Sequence, residues 1–489
     1  MYPSSWLPTE LARFIEHIEA DRTAATLLRK VENRQVPQSE RASRASLVTT
    51  ATLSNRASNN GSKSGSKKDT QTISASIEPV SSDVPNRKLL NAVNISRSFE
   101  TKEFCPAWYA TNPHVQTIYG VLAREKTMYA SSPLDFARQS DSNIEGMIES
   151  FDWDERKRME TPDGDFFDVD WKYCDSVDHI GRPNVQVPLV LICHGLQSSS
   201  SSPLAKEMAM AFNNNGMDAA CINFRGCSGE INRTPYGYHL SFTEDLKQMA
   251  KHIADRHPNK PIYLAGFSLG ANVITKFLAD VGHKATKFNV FGAAVNAVPF
   301  DMYKTHVNLN QPGFTRTLYG DRLLKSMIDR IDESYDSIDF PFPREKTSEW
   351  KTIMDVENDV ICPPFGYENA YDYYNKSRTA HVLDRISVPQ LIIQALDDPF
   401  FQGNTNPPDD PSQPVRIHYT EHGGHCGYVF HSPDSGDGEP STSWMPTELA
   451  RFLSHVHEET FSGRSVGPLD ADESLCEDDI SNPSLVSTT

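Results

Sequence analysis

Pro261-Ile262-Tyr263-Leu264-Ala265-Gly266-Phe267-Ser268-Leu269-Gly270-Ala271-Asn272 is the stretch that decides the fold. An apolar run of strand type leads into Gly-x-Ser-x-Gly, and a helix-like run, Ala271 to Ala279, follows. Strand, sharp turn and helix are the context in which this pentapeptide lifts a serine hydroxyl above a sheet edge. Glycines two residues to either side leave room where strand and helix crowd together. The free amides at the helix N-terminus favour negative charge developing beside the serine. The bare pentapeptide also arises by chance; the flanking elements make it specific.

The same alternation extends both ways. Val187 to Cys193 is a continuous apolar run, as expected of a strand covered on both faces. His194-Gly195-Leu196 follows it directly. Pro203 to Phe212 reads as a helix, Ala219 to Phe224 as a strand and Phe242 to Ile253 as a helix. Strands are then expected at Asn289–Ala297, at Val388–Leu396 and, as the last, at Arg416–Tyr419. Strands alternating with helices imply an α/β fold with a mainly parallel central sheet and helices on both faces. Pro299 to about Leu383 breaks the alternation. It is polar and aromatic, and fits a cap insertion at about 299–385 over the carboxyl ends of the strands.

Upstream, Phe104-Cys105-Pro106-Ala107-Trp108 marks the return of order, and Asn112-Pro113-His114-Val115-Gln116-Thr117-Ile118 reads as a turn into a helix. Thr161 to Trp171 reads as a hairpin. Its Asp163, Asp165, Asp168 and Asp170 suggest calcium at first sight. The glycine and glutamate of a calcium loop are out of register, so a solvated acidic face is expected instead. Residues 34–97 are rich in Ser, Thr, Asn, Lys and Arg and read as disordered linker. Ser5-Trp6-Leu7-Pro8-Thr9-Glu10-Leu11-Ala12-Arg13-Phe14 recurs as Ser443-Trp444-Met445-Pro446-Thr447-Glu448-Leu449-Ala450-Arg451-Phe452. The first copy reads as a stray duplicate of the last helix, or as a second docking helix. The expected organisation is an N-terminal extension at 1–100, mostly disordered with the duplicated helix at 4–20, the α/β domain at 101–462, and an acidic disordered tail at 463–489.

The chain has 489 residues and a net charge of −18, which argues against nucleic acid as a partner. No stretch is long and apolar enough to span a bilayer, and Met1 to Trp6 is not a secretory leader, so a cytoplasmic protein is expected, with peripheral membrane contact compatible with it. The eight cysteines form no Cys-x-x-Cys, and Cys193 and Cys221 lie in apolar runs, so reduced, buried thiols are expected.

A serine hydroxyl needs a base within hydrogen-bond reach. In the chain order Ser, acid, His, the base is His425 in Glu421-His422-Gly423-Gly424-His425-Cys426-Gly427. His422 and His425 have metal-ligand spacing, but a site needs three or four ligands and no third is apparent, so no metal is expected. The acid lies in Ala395-Leu396-Asp397-Asp398-Pro399, just after a strand. Spacing from the strand end favours Asp398; Asp397 is its rival and Asp301 a third candidate. The expected oxyanion donors are the backbone N–H groups of Leu269 and Leu196. His194 reads as structural.

With these residues placed, the chain resembles the YheT-like branch of the α/β-hydrolase superfamily, with the eukaryotic α/β-hydrolase-domain lipases and the plant embryogenesis-associated hydrolases. The matching blocks are Asn112 to Ile118, Pro162 to Phe166, His194 to Leu196, Asn223 to Gly229, Gly266 to Gly270, Asp397 to Phe400 and Gly423 to His425. The resemblance implies the α/β-hydrolase fold and a serine hydrolase without cofactor, acting on short- or medium-chain esters, monoacylglycerols or phospholipids. Fungal relatives imply an alternative, acyl transfer from acyl-CoA to an alcohol. Two departures stand out. Gly270-Ala271-Asn272 replaces the commoner Gly-Gly-Asn, and the membrane anchor of animal members is not expected here.

Three readings follow. The first is an esterase or acylglycerol lipase working on a small-molecule lipid or ester through Ser268, His425 and Asp398, with no obligate protein partner. The second resolves the same acyl-enzyme with an alcohol. The third is a non-catalytic receptor on a hydrolase fold, which the complete Ser–Asp–His set argues against.

Overall fold

The computed structural model describes residues 84–129, 151–174, 187–404, 406–431 and 440–461. The first copy of the repeat, most of the expected linker and the acidic tail lie outside the described residues.

Eight strands form one sheet in the order β1-β2-β4-β3-β5-β6-β7-β8. They are β1 Glu155–Glu160, β2 Phe166–Lys172, β3 Leu189–Cys193, β4 Asp218–Asn223, β5 Ile262–Phe267, β6 Val290–Asn296, β7 Gln390–Ala395 and β8 Val415–Thr420. β1 and β2 pair antiparallel, as do β2 and β4. Every other neighbour pair is parallel. The expected hairpin and parallel strands are therefore present. After β8 comes a further two-strand ladder, β9 Phe430–His431 with β10 Pro440–Ser441, so β8 is not the last strand. A two-residue pairing is too short for its residue pattern to announce it.

The pattern of β3 shows why the sheet is buried on both faces. Leu189, Leu191 and Cys193 join one apolar core, and Val190 and Ile192 join the other. Successive side chains point to opposite faces, so a strand with no polar alternation must be covered twice. Each fully buried aliphatic side chain contributes roughly 1.5–3 kcal/mol. The chain forms β3, adds β4 on one side and then β5 on the other. The crevice above the carboxyl ends of β3 and β5 is thus a topological switch point, where open α/β sheets bind ligands.

Nine helices of eight or more residues are described: α1 Val84–Ser98, α2 Pro113–Tyr129, α3 Pro203–Asn213, α4 Glu244–Arg256, α5 Leu269–Val281, α6 Met302–Asn310, α7 Asp321–Ser334, α8 Ala370–Ser377 and α9 Trp444–Phe461. The helices α6, α7 and α8 lie between β6 and β7, in the stretch expected to form a cap. None of the described helices is long and apolar enough to cross a membrane.

Two further expectations are corrected. The ordered chain starts before Phe104: α1 falls inside the expected linker. Ile95 and Phe99 are buried, and Phe99 meets Phe452 of α9 edge-on at 5.3 Å. Arg97 pairs with Asp409 at 2.7 Å and donates to the Val415 carbonyl at 2.7 Å. A polar composition conceals a few apolar anchors whose partners lie more than 300 residues away. The hairpin carboxylates are not a solvated face either. Asp165, Asp168 and Asp170 are buried. Arg158 grips Asp168 through two bonds of 2.9 Å, and Arg156 grips Asp170 through two of 2.7 Å. Asp165 accepts from Asn232 Nδ2 and from the Phe166 and Arg233 N–H groups. Alternation shows which residues share a face, but not that arginines cover it.

Candidate active site

Ser268 sits between β5 and α5 with φ 54° and ψ −122°, a backbone conformation that L residues rarely adopt. The turn is held from both sides. Ser268 N–H donates to the Asn296 carbonyl at 3.0 Å, and its own carbonyl accepts from Asn272 N–H at 3.2 Å. The flanking glycines are sterically required. A Cβ on Gly266 would stand 2.7 Å from the Cys193 carbonyl oxygen, and one on Gly270 only 2.1 Å from the same atom. In Gly270-Ala271-Asn272, Asn272 is buried and donates to the Leu240 and Ser377 carbonyls at 3.0 and 3.1 Å, while Thr379 donates to its Oδ1 at 2.9 Å. It ties α5 to the chain around the end of α8.

The loop after β8 brings His425 over the sheet. His425 Nε2 lies 3.1 Å from Ser268 Oγ, and Nδ1 lies 2.8 Å from Asp398 Oδ2. Asp398 is buried, and its other oxygen accepts the Phe400 N–H at 2.8 Å. The neighbouring Asp397 faces elsewhere. It accepts the Gly424 N–H at 2.9 Å and lies 3.3 Å from His422 Nδ1. Burial raises the Asp397 carboxyl above its ordinary value, against the pull of Gly424 and His422. Asp301 caps α6 through the Lys304 N–H at 3.2 Å. Of the three candidate acids, only Asp398 meets His425.

His194 is fully buried. Its Nδ1 lies 2.8 Å from the Gly195 carbonyl, and the Phe224 N–H donates to its Nε2 at 3.1 Å. Accepting at Nε2 requires the neutral ring, and burial lowers its pKa to about 4. It anchors the loop after β3. That loop runs beside the serine: a Cβ on Gly195 would lie 3.4 Å from Ser268 Cβ and 3.2 Å from the Phe267 ring. Gln197, next in the loop, has φ 56° and donates its N–H to Tyr238 Oη at 2.9 Å. Leu196 is thus held in the segment flanking Ser268, and Leu269 opens α5 with an N–H that no carbonyl of its own helix can satisfy.

The family model described as the alpha/beta hydrolase fold matches residues 188–432, just over half the chain. The chain belongs to the α/β-hydrolase family. It is similar to YheT of Escherichia coli strain K12, 31% identical over 56% of this chain and 78% of that protein. It is similar to a monoacylglycerol lipase of Saccharomyces cerevisiae, 27% identical over 56% of this chain and 60% of the yeast protein. It is also similar to the yeast medium-chain fatty acid ethyl ester synthase/esterase 2, 25% identical over 56% of this chain and 63% of that protein. The chain thus spans about three-fifths of the two yeast proteins. These relatives place this hydrolase among the carboxylic ester hydrolases of the family.

Sequence reasoning missed two sets of residues packed against His425. Phe400 stacks on His425, and Phe401 meets it edge-on at 5.3 Å. Phe400 stands in the Asp397 to Phe400 block, which was the available signal. Thr117 Oγ accepts the backbone N–H of His425 at 2.9 Å. It stands in the Asn112 to Ile118 block, which by residue pattern reads only as a turn and helix.

Proposed function

We propose that the protein is a serine hydrolase that cleaves carboxylic esters of lipid-like acyl groups, as a short- or medium-chain carboxylesterase or monoacylglycerol lipase. The observation that carries the reading is the chain of contacts from Ser268 Oγ through both ring nitrogens of His425 to Asp398. Ser268 Oγ attacks the ester carbonyl carbon while His425 Nε2 takes its proton. Asp398 holds Nδ1–H, which keeps Nε2 free as acceptor and stabilises the imidazolium. The Leu269 and Leu196 N–H groups receive the oxyanion. Collapse expels the alcohol, which takes the proton from His425 and leaves an acyl-Ser268 ester. Water, deprotonated by His425, attacks that ester; the acyl–Oγ bond breaks, Ser268 Oγ takes the proton back from His425, and the acid is released.

A lipid-like acyl or alcohol group is favoured by the aromatic surface leading outward from His425. Phe400 meets Tyr319 at 4.9 Å, and Tyr319 stacks on His114, which meets the exposed Phe314 at 4.8 Å. The test is labelling of the pure protein by a fluorophosphonate, wild type beside Ser268→Ala, followed by a chain-length series of aryl esters and monoacylglycerols. Loss of labelling in the variant is expected. A folded wild type that does not label would overturn the reading.

The yeast relative named as an ethyl ester synthase and esterase favours a second reading, in which an alcohol replaces water in the last step. Assay with acyl-CoA and ethanol separates the two: free acid as the sole product rejects the transferase.

A further inference from the structure

The block Asn112-Pro113-His114-Val115-Gln116-Thr117 has no part in the acyl chemistry above, yet it lies directly against the loop that carries His425. The contact is close enough to demand glycine. A Cβ on Gly424 would stand 2.6 Å from the Pro113 carbonyl oxygen and 2.7 Å from Thr117 Oγ. One on Gly427 would stand 2.1 Å from the Gln116 carbonyl oxygen, and one on Gly120 of α2 would stand 2.7 Å from Gly427 Cα. With these side chains absent, α2 reaches the loop backbone itself.

It grips that backbone at four residues between His425 and Val429. Thr117 Oγ donates to the Pro113 carbonyl at 2.7 Å and accepts the His425 N–H at 2.9 Å. Arg124, almost fully buried, donates to the Cys426 carbonyl at 2.8 Å and to the Gly427 carbonyl at 3.0 Å. The buried Gln116 donates to the Val429 carbonyl at 3.1 Å and accepts the Val429 N–H at 2.6 Å. The loop needs outside support: Cys426 and Tyr428 have φ 61° and 51°, in the left-handed region that non-glycine residues avoid. Such strain persists only where the surroundings over-determine it.

We propose that α2 is the positioning element for the general base, and that Thr117 is the positioning residue that sets His425 between Ser268 and Asp398. The inference rests on the triad reading above. Thr117 acts through the His425 backbone N–H, which its Oγ accepts at 2.9 Å. Its loss lets the ring drift from Ser268, and small misplacements of a catalytic group have large effects on rate.

The experiment compares full-length wild type, Thr117→Val, Thr117→Ala and Thr117→Ser. It measures the rate of fluorophosphonate labelling, kcat and KM on p-nitrophenyl butyrate, and Tm. Valine keeps the shape and loses the oxygen; serine keeps the oxygen; alanine serves should valine fail to fold. The expected result is a fall of about tenfold or more in labelling rate and kcat for valine and alanine, with KM changed by less than about twofold and serine restoring the rate. Wild-type rates in folded Thr117→Val or Thr117→Ala would overturn the inference while leaving the triad intact. Equal losses in serine and valine would overturn it too, since shape rather than the acceptor oxygen would then matter. A folded wild type that does not label would remove the triad reading and the inference with it.

Discussion

The Phe400 ring lies flat on the His425 imidazole, with centroids 3.9 Å apart and planes 3° apart. The same residue donates its backbone N–H to Asp398, so one position both covers His425 and holds Asp398. Stacking is worth about 0.5–1.5 kcal/mol beyond the area it buries. Phe400→Leu keeps the backbone bond and loses the ring face. We expect kcat to fall about two- to tenfold, since 1.36 kcal/mol is a factor of ten in rate. Steady-state kinetics on an aryl ester checks it; an unchanged kcat would mean that the stack has no part in turnover.

Asp397 and Asp398 stand side by side in sequence and do different things. Asp398→Asn removes the charge beside Nδ1 and favours the wrong tautomer, so kcat should fall by about 10⁴-fold. Asp397→Asn keeps an acceptor for Gly424 N–H, so its loss should stay within roughly tenfold. The reverse ranking in the same assay would make Asp397 the partner of His425.

Gly270 has no room for a side chain. A methyl at this position would meet the Cys193 carbonyl oxygen at 2.1 Å, and both atoms are held by the sheet and α5. Gly270→Ala should destabilise the protein by about 3 kcal/mol or more. Ala271→Gly, which restores the commoner motif, should cost only about 0.5–1 kcal/mol, the usual penalty of glycine within a helix. Urea unfolding of the two variants gives the comparison.

His194 ties stability to pH. Its folded pKa, about 4, lies below the ordinary 6.5 because burial disfavours the charged ring. Above pH 6.5 the ring is neutral in both folded and unfolded chains, and stability is complete. Below that pH the unfolded chain takes up the proton first, so stability falls towards pH 4. Between pH 7.5 and 5 the loss from this group should be ~2 kcal/mol. Urea unfolding at the two pH values should show a smaller loss for His194→Asn than for wild type.

Helix α1 separates two truncations. A chain starting at Thr101 loses the Arg97–Asp409 pair and the Phe99–Phe452 contact, whereas one starting at Val84 keeps both. Burying an aromatic such as Phe99 is worth about 1.5–3 kcal/mol, so the shorter chain should melt several degrees lower. Equal melting temperatures would show α1 to be dispensable.

Much of the fold was legible because its signals are local. The continuous apolar runs of β3, β4 and β5 can only be doubly covered strands, and a serine between two glycines at a strand end leaves one turn that fits. Ser268 and His425 could be proposed from such patterns, and spacing favoured Asp398 as the acid, with Asp397 and Asp301 left as alternatives. Local pattern did not reach residues whose meaning is set by a distant partner. The alternating aspartates of β2 look solvated until Arg156 and Arg158 fold over them. α1 looks like linker until Phe99 finds Phe452.

The α/β class and the strained turn at Ser268 follow from sequence alone, because short-range sterics and hydrophobic periodicity act within a few residues. That Asp398, and neither Asp397 nor Asp301, contacts His425 is seen only in three dimensions, as is the packing of α2 against the His425 loop. Adjacent residues at a strand end differ in direction, and direction depends on where the chain packs next. Thr117 and His425 are 308 residues apart in the chain, and their 2.9 Å contact exists only once the sheet has closed the loop between them.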